Sequence, residues 1–384
     1  MTIRFLTVAA LTLCLGRAEA QSGKPRARDL GVPFEGAPGP LNAITDVPGV
    51  EVGHTTLISG DSVRTGVTVV LPEGKRARNQ VFAGWFTLNA DGEMTGTTWI
   101  EESGILEGPV AITNTHSVGT VHQAVIEWSV KNVAGLSWSL PVIAETWDGG
   151  LNDINGFHVK PEHLFAAIEN AAAGPVPEGN VGGGTGMQVY QFKGGIGTSS
   201  RVLDTPHGKF TVGVLVQANY GLRPQLRVAG APVGLEIPDL MPEGRDSGND
   251  AGSDRADRDG SIIIVVATDA PVLPHQLKRI AKRASLGLGR NGSIASNGSG
   301  DIFIAFSTFH KNIGTEEGGL YDLKMLGNSD LNPIFRATVE ASEEAVINAM
   351  VAAETMSGKN GLKVYALPHD RLREALRKYN RPAP

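Results

Sequence analysis

Apolar residues follow two different spacings along the chain, one typical of strands and the other typical of helices. Apolar runs bounded by glycine, proline or polar residues predict strands at 65–72, 210–221, 261–270 and 301–308, and at the start of 108–130 and 140–153. Helical spacing predicts helices in the second part of 108–130 and over 163–174, 273–289, 335–354 (a long amphipathic helix) and 369–379. Strands and helices are mixed throughout without a short internal repeat, which predicts an α/β (α+β) fold.

One segment interrupts this pattern. Residues 243–260 ("EGRDSGNDAGSDRADRDG") are polar, charged and rich in glycine, and an apolar strand begins directly after them at Ser261. A loop of this length without structure of its own is uncommon inside a domain unless it is functional. The plain interpretation is a surface loop that leads into a buried strand. The alternative is that the Gly260–Ser261 bond is cut.

The composition limits the classes of function. The 384 residues are 41% hydrophobic and include 49 glycines, which suits a large core in one or two domains with many tight turns. A formal net charge of −6 leaves no basic surplus for a nucleic-acid partner. After the N-terminal segment there is no run of about 18 apolar residues, so we expect no membrane partner for the processed chain.

The N-terminus has the features of a secretory signal peptide. Arg4 precedes an apolar run at 5–15 that is too short to span a bilayer, and the "AEA" segment at 18–20, with small residues at both ends, predicts cleavage directly after it. We therefore expect a periplasmic or secreted protein. The single cysteine, Cys14, lies in this segment, and Leu13 before it disfavours a lipoprotein signal. The mature chain would then have no disulfide and no thiol nucleophile.

The sequence contains no familiar motif for a cofactor or a metal. Glycine-rich segments at 182–187 and 194–200 lack the spacing of phosphate-binding or dinucleotide-binding loops, so close backbone packing is the better interpretation. A calcium-binding loop around Asp257 and Asp259 would require glutamate where Val266 stands. The nine histidines show no H-E-x-x-H pattern. We therefore expect no cofactor and no catalytic metal.

Ser261 would acquire its own general base if the bond before it were cut. A serine hydroxyl is a weak nucleophile without a base. A free α-amino group has a pKa of about 7.7–8.0, so a fraction of it is neutral near pH 7 and can accept the hydroxyl proton. Gly260 suits such a bond, because a residue without a Cβ tolerates strained geometry beside the attacking hydroxyl.

Five further polar or aromatic residues stand at the ends of predicted strands or in the turns beside them. Asn219 ends one strand and Glu145 ends another, with Trp147 two residues further on. In "NGSGD", Ser299 and Asp301 are two residues apart, which places both side chains on one side of an extended segment. Each residue also has an ordinary structural interpretation: a turn cap, a turn hydroxyl, a loop or surface carboxylate, or a core aromatic.

Several longer segments carry a resemblance to a known family: "NAITDVPGVEVGHTTL", "WIEESG", "TNTHSVGTV", "GNVGGGTGM", "FKGGIGTSSR", "VQANYG", "DGSIIIVVATDAP", "NGSGDIFIAFST" and "YALPHDRLREAL". In this order, from about residue 42 to residue 376, they resemble the serine-nucleophile aminopeptidases. That family includes the L-aminopeptidase/D-amidase-esterases and the β-peptidyl aminopeptidases. The resemblance implies an αββα four-layer sandwich of the type shared with ornithine acetyltransferases. It also implies a precursor that cuts itself before the serine into two pieces that stay together.

The resemblance assigns roles to four of these positions. Ser261 matches the self-processing nucleophile, and Asn219 matches the residue whose side-chain amide contributes to the oxyanion hole. Ser299 matches a second serine that relays or orients a proton. Asp301 matches the acidic residue after it, where β-peptide-cleaving members have glutamate, so the preference between α- and β-amino substrates stays open.

The resemblance also implies a pocket for the substrate ammonium. Glu145 matches the carboxylate that holds this ammonium, and Trp147 would line the same pocket. His116 and Asn114 belong to the family-like segment "TNTHSVG", but no chemical step follows for either of them.

Together these observations predict a signal peptide (1–20) and a single catalytic domain (21–384) that cuts itself into 21–260 and 261–384. The predicted activity is that of an N-terminal-serine aminopeptidase or amidase, acting on small peptides, amides or esters with a free amino terminus. The resemblance implies a homo-oligomer, a tetramer of processed pairs. Two alternatives remain open. An acyltransferase of the ornithine-acetyltransferase type would have threonine at the cut and no signal peptide, and a non-catalytic periplasmic binding protein would not require Gly-Ser after an open loop.

Overall fold

The computed structural model describes residues 24–75, 80–244, 260–311, 313 and 319–381. The predicted signal peptide lies outside these residues, and so does the predicted loop at 243–260 apart from its ends. None of the helices in the described part of the chain combines the length and the apolarity needed to cross a bilayer.

Strands and helices alternate along the described residues, which confirms the predicted mixture. The strands are β1 (Glu51–Ser59), β2 (Val63–Lys75), β3 (Gln80–Ala90), β4 (Ile105–Glu107), β5 (Val110–Asn114), β6 (Val142–Thr146), β7 (Gln188–Val189), β8 (Phe192–Lys193), β9 (Gly195–Thr205), β10 (Gly208–Tyr220), β11 (Gly260–Thr268), β12 (Gly300–Ser307), β13 (Met356–Ser357) and β14 (Lys363–Val364). The α-helices are α1 (Thr97–Ser103), α2 (Val118–Asn132), α3 (Pro161–Glu169), α4 (Val233–Glu236), α5 (Pro274–Arg290), α6 (Asn332–Val351) and α7 (His369–Lys378).

The longer strands form two sheets. One has four strands in the order β1-β2-β5-β6, and the other has six strands in the order β4-β3-β12-β11-β10-β9. In the larger sheet β11 is parallel to β12 and antiparallel to β10. β11 therefore has a hydrogen-bonded neighbour on each side, and residues at its start lie beside residues of both β10 and β12.

Three apolar clusters hold these elements together. The cluster between the two sheets draws side chains from both of them, among them Val70, Ile112, Ala144, Leu215, Ile263 and Ile304. A second cluster lies where α5 and α6 cover the larger sheet, and a third lies where α2 and α3 cover the smaller one. Successive residues of β11 enter different clusters, since Ile263 faces the other sheet and Ile264 faces the helices. A strand buried on both faces accounts for the unbroken apolar run in its sequence.

Helix α6 differs from the amphipathic helix that its sequence predicts, because its polar residues are buried as well. Glu344 forms ion pairs with Arg28 and Arg201, both at 2.8 Å. Asn348 accepts a hydrogen bond of 3.0 Å from the backbone N–H of Ala27. The N-terminal segment and β9 thus cover the polar face that would otherwise be exposed to solvent.

Backbone contacts determine where α3 ends and how closely the glycine-rich segments pack. Helix α3 ends at Glu169 rather than near residue 174, because Ala172 exchanges two backbone hydrogen bonds of 3.1 Å with Val52. The prediction of close packing at the glycine-rich segments is confirmed. A Cβ at Gly197 would lie 1.9 Å from the carbonyl oxygen of Ala345, so α6 can approach β9 only because glycine is there.

Candidate active site

Ser261 lies near the start of β11, between strands β10 and β12. Its register partner on β10 is Asn219, and its partner on β12 is Gly300. Residues directly opposite each other in a sheet point to the same face, so the side chains of Ser261 and Asn219 emerge together. Alternation along β11 places Ser261 on the face of Ile263, toward the smaller sheet. Ser261 is 5% exposed.

Gly260 occupies a backbone position that other residues do not fit. Its φ is 77°, in the left-handed region, and a Cβ there would lie 1.9 Å from the carbonyl oxygen of Asn219. Both constraints require glycine. The bond predicted to be cut is therefore held against β10 in a conformation that only glycine adopts without strain.

The side-chain amide of Asn219 is fixed at both ends. Its Oδ1 accepts a hydrogen bond of 2.8 Å from the backbone N–H of Gln188, and its Nδ2 donates one of 2.9 Å to the carbonyl oxygen of Trp147. An amide nitrogen carries two hydrogens, and the bond to Trp147 uses one of them. The second N–H of Asn219, the register partner of Ser261, is thus available to a further acceptor.

Ser299 and Asp301 contact each other, which confirms the prediction from their spacing. The Ser299 hydroxyl donates a hydrogen bond of 2.6 Å to Asp301 Oδ1, and both residues are buried. Because its proton is committed to the carboxylate, the Ser299 oxygen can serve a further partner only as an acceptor. The two residues flank Gly300, so the pair lies at the start of β12, next to Ser261.

Glu145 approaches the same place from the smaller sheet, at the end of β6. Its carboxylate accepts hydrogen bonds from the backbone N–H of Glu93, at 3.0 Å, and from the Thr115 hydroxyl. A Cβ at Gly92 would lie 3.2 Å from both Glu145 Oε1 and the Cα of Gly300, so the turn around Gly92 fills the space between these residues. The surface-acid interpretation of Glu145 is wrong, since the residue is 3% exposed.

Burial raises the pKa of Glu145, and the carboxylates of Glu93 and Asp91 act in the same direction. The two hydrogen bonds to Glu145 oppose this shift without cancelling it. A cation placed against Glu145 would favour its charged form. The site is therefore suited to an ammonium group.

Trp147 is not a core residue, since 46% of it is exposed. A Cβ at Gly149 would lie 2.6 Å from its indole ring, so the ring lies against this turn. Its backbone carbonyl accepts the bond from Asn219. Trp147 therefore connects the strand end that carries Glu145 to the amide beside Ser261.

The two residues of "TNTHSVG" that received no role have structural contacts. Asn114 accepts a hydrogen bond of 3.1 Å from the Ser117 N–H and donates one of 2.8 Å to Thr65 Oγ1, so it caps the turn before α2. The His116 ring stacks on that of Phe157, with centroids 6.2 Å apart.

Sequence reasoning missed several residues around the site. Thr115 contacts Glu145 through its hydroxyl, and Gln188 contacts Asn219 through its backbone N–H. Neither kind of contact leaves a recognisable pattern in the sequence. Asp148 is buried, its pKa is raised by burial to about 7, and its Oδ1 accepts a bond from Asn152. Lys193 is buried as well, and a lysine among apolar and glycine residues was the one available signal for it.

In the described part of the chain, no group of three or more His, Cys, Asp or Glu side chains is arranged to hold a metal ion. The chemistry available at the site is that of a hydroxyl, an amide, a hydroxyl–carboxylate pair and a second carboxylate. A serine nucleophile with an adjacent oxyanion donor can carry out acyl transfer.

The chain belongs to peptidase family S58, whose model matches residues 42–364. It is thus a serine-type peptidase, and the resemblance seen in its motifs is confirmed.

Individual relatives match nearly the whole chain. A beta-peptidyl aminopeptidase of Sphingosinicella microcystinivorans is 55% identical over 392 aligned residues, which cover 99% of this chain and 98% of that protein. A beta-peptidyl aminopeptidase of Sphingosinicella xenopeptidilytica is 52% identical over 373 residues, with 92% of each chain covered.

A similar solved structure identifies the class of fold. The L-aminopeptidase D-Ala-esterase/amidase of Ochrobactrum anthropi matches with a TM-score of 0.87 at 47% identity, over 94% of this chain and 100% of that chain. It is described as a prototype for the serine aminopeptidases and a variant of the Ntn hydrolase fold. The mixed α/β arrangement of this protein is therefore Ntn-hydrolase-like.

Proposed function

We propose that this protein is a self-processing aminopeptidase or amidase with Ser261 as its nucleophile. The observation that carries the proposal is the position of Ser261, which follows a glycine at φ 77° and lies between Asn219 and Gly300 in the larger sheet. Membership of family S58 and the similarity to aminopeptidases over nearly the whole chain support it. The substrates would be small peptides, amides or esters with a free amino terminus.

In self-processing, the Ser261 hydroxyl attacks the Gly260 carbonyl. The bond from Oγ to the carbonyl carbon forms, the bond from that carbon to the Ser261 nitrogen breaks, and the nitrogen takes up the proton. Water then hydrolyses the ester and releases Gly260 as a carboxylate. The products are residues 21–260 and 261–384 of the mature chain, and the second begins with a free α-amine.

In turnover, this α-amine acts as the base for its own hydroxyl. Ser261 Oγ attacks the carbonyl after the first residue of the substrate, and the amine passes the proton to the leaving group. The second N–H of Asn219 stabilises the oxyanion, a contribution of ~10²–10³ in rate for a single donor. The Ser299 hydroxyl donates its proton to Asp301, so its oxygen can accept a hydrogen bond from the amine. Water finally hydrolyses the acyl-enzyme.

Glu145 would select substrates with a free amino terminus. Its buried carboxylate lies across Gly92 from Gly300, on the side of the smaller sheet, so it can hold an ammonium close to Ser261. Trp147 would form an exposed wall of the same pocket.

We also propose the finer features that the resemblance implies. The three apolar clusters support an αββα four-layer sandwich, with α5 and α6 outside one sheet and α2 and α3 outside the other. The N-terminal sequence supports removal of residues 1–20 and a periplasmic or secreted location. The proposed assembly is a tetramer of processed pairs. Cell fractionation with N-terminal sequencing tests the location, and light scattering tests the assembly.

Mass spectrometry of the purified protein tests the central claim. The expected result is two species that begin at Gln21 and Ser261, and Ser261→Ala should stay uncut and inactive because it lacks the attacking oxygen. A single intact and fully active chain would refute self-processing. An amino-acid anilide assay separates the proposal from a binding protein, which releases no product.

A further inference from the structure

Lys193 is a buried lysine that the proposed mechanism does not use. It lies in β8, next to the active site, and is 0% exposed. Its Nζ donates hydrogen bonds to two neutral oxygens, the carbonyls of Met187 at 2.8 Å and Gly194 at 2.9 Å. Placing an ammonium in an apolar interior is unfavourable, and burial lowers the pKa of Lys193 to about 7.

One peptide group connects this lysine to the Asn219 side chain. The carbonyl oxygen that accepts from Lys193 belongs to Met187, and the N–H that donates to Asn219 Oδ1 belongs to Gln188. These two atoms are the two ends of the same peptide bond. The order of contacts is therefore Lys193 Nζ, the peptide between Met187 and Gln188, and the Asn219 carboxamide.

The two groups that follow Lys193 in this series, the Met187–Gln188 peptide and the Asn219 carboxamide, are delocalised amides. A donor at the oxygen of an amide draws electron density toward that oxygen and makes the N–H on the other side a stronger donor. The effect passes from Lys193 to the Gln188 N–H and then, through Oδ1, to the Nδ2 hydrogens of Asn219. The series ends at the second N–H of Asn219, the register partner of Ser261.

We propose that Lys193 is a positioning residue for the oxyanion hole, which polarises and orients the Asn219 carboxamide through the Met187–Gln188 peptide. This inference rests on the proposed role of Asn219. The polarised N–H interacts more strongly with an oxyanion than with a neutral carbonyl oxygen. The effect should therefore fall on kcat more than on KM.

A different role for the same contacts is a purely structural one. Lys193 also binds Gly194, so it could simply fasten the hairpin formed by β7 and β8. Loss of a structural fastening would lower stability, but it would not depend on Asn219. The two roles therefore predict different outcomes in a double-mutant experiment.

The first test is Lys193→Met, which keeps the length of the side chain and removes both hydrogen bonds. We expect kcat for an amino-acid anilide, measured per processed chain, to fall about 10-fold, part of the ~10²–10³ that a complete donor supplies. KM should change by less than about two-fold. The Gly260–Ser261 cut should also become slower, because its oxyanion uses the same N–H.

Val189→Ala is the matched control. Val189 is buried in the same hairpin and pairs with Phe192, and its aliphatic side chain cannot hydrogen-bond to any member of the series that ends at Asn219. This variant should lower the melting temperature and keep the wild-type kcat. If Lys193→Met does not fold, Lys193→Gln provides a neutral donor of shorter reach, and its kcat should still fall several-fold.

The decisive measurement combines Lys193→Met with Asn219→Ala. If Lys193 acts through Asn219, the double variant should be no slower than Asn219→Ala alone. In protein labelled with ¹⁵N-asparagine, the side-chain resonance that disappears in Asn219→Ala should shift in Lys193→Met and stay in place in Val189→Ala.

The outcomes separate the two proposals. Fully additive effects, or a wild-type kcat in a folded Lys193→Met or Lys193→Gln, would overturn the role of Lys193 and leave that of Asn219 standing. A wild-type kcat in Asn219→Ala would overturn the oxyanion hole itself, and the role of Lys193 with it.

Discussion

Replacing Glu145 by glutamine removes the negative charge at the end of β6 and keeps nearly the same shape. Glutamine Oε1 can still accept the hydrogen bond from the Glu93 N–H, and the Thr115 hydroxyl can rotate to accept from the new amide. We therefore expect Glu145→Gln to fold. It should also cut itself normally, because self-processing involves no substrate ammonium.

The expected loss in turnover follows from the burial of Glu145. A carboxylate that is 3% exposed interacts with an ammonium in a partly desolvated site, where a charge-assisted hydrogen bond contributes about 1.5–3 kcal/mol. This range corresponds to a decrease of about 10- to 150-fold in kcat/KM. N-acetylation of the substrate removes the same interaction from the other side, so acetylated anilides should be poor substrates for the unchanged enzyme.

The assay compares free and N-acetylated anilides across a range of pH. The charged form of Glu145 is present above its pKa and is lost as the pH falls, and burial raises that pKa above the ordinary glutamate value. The kcat/KM of the unchanged enzyme should therefore decline on acidification earlier than an exposed glutamate would cause, and Glu145→Gln should lose this decline. If both enzymes cleaved free and acetylated substrates equally well, the ammonium role of Glu145 would be refuted.

Three further changes test other parts of the site. Gly260→Ala should slow the cut strongly, because its Cβ would meet the Asn219 carbonyl at 1.9 Å and its φ of 77° is strained for alanine; normal two-piece bands on a gel would contradict this. Ser299→Ala should fold but lower kcat by about 10²-fold, because the α-amine that transfers the proton loses the hydroxyl that positions it, and an unchanged pH–rate profile would remove Ser299 from this role. Asp148→Asn tests linkage: a carboxyl whose pKa is raised from 3.8 to about 7 stabilises the fold at low pH and loses this contribution as the pH rises through 7. The melting temperature of the variant, relative to that of the unchanged protein, should therefore be higher at pH 8 than at pH 5. An equal difference at both pH values would contradict this prediction.

Short-range patterns in the sequence predict much of the site. The change from polar loop to apolar strand locates Ser261, and the spacing of Ser299 and Asp301 predicts that their side chains lie on one side, because both depend on residues that are neighbours in the chain. Asn219 is recognisable as the end of a strand. The predicted roles of Asn219 and Glu145 follow only from the resemblance to the family.

Contacts between distant parts of the chain were not predictable in this way. The approach of Glu145 from a different sheet depends on the turn at Gly92, and no periodicity indicates which turns will meet. The burial of helix α6 is unpredictable for the same reason, because a polar stripe has the same sequence pattern whether water or Arg28 and Arg201 cover it. Lys193 likewise acquires its meaning only from the peptide bond that it contacts.

The order of strands in the larger sheet decides what the proposed cut can separate. β11 and β12 come from the second piece, yet they lie between β3 and β10 of the first piece, and hydrogen bonds join them to both neighbours. Taking the second piece away would leave two unpaired strand edges in the middle of the sheet and uncover the apolar residues of β11 on both faces. The cut would therefore create a new chain end without creating a new folding unit. Heating should melt both pieces in one transition, and each piece expressed alone should fail to reach a soluble folded state.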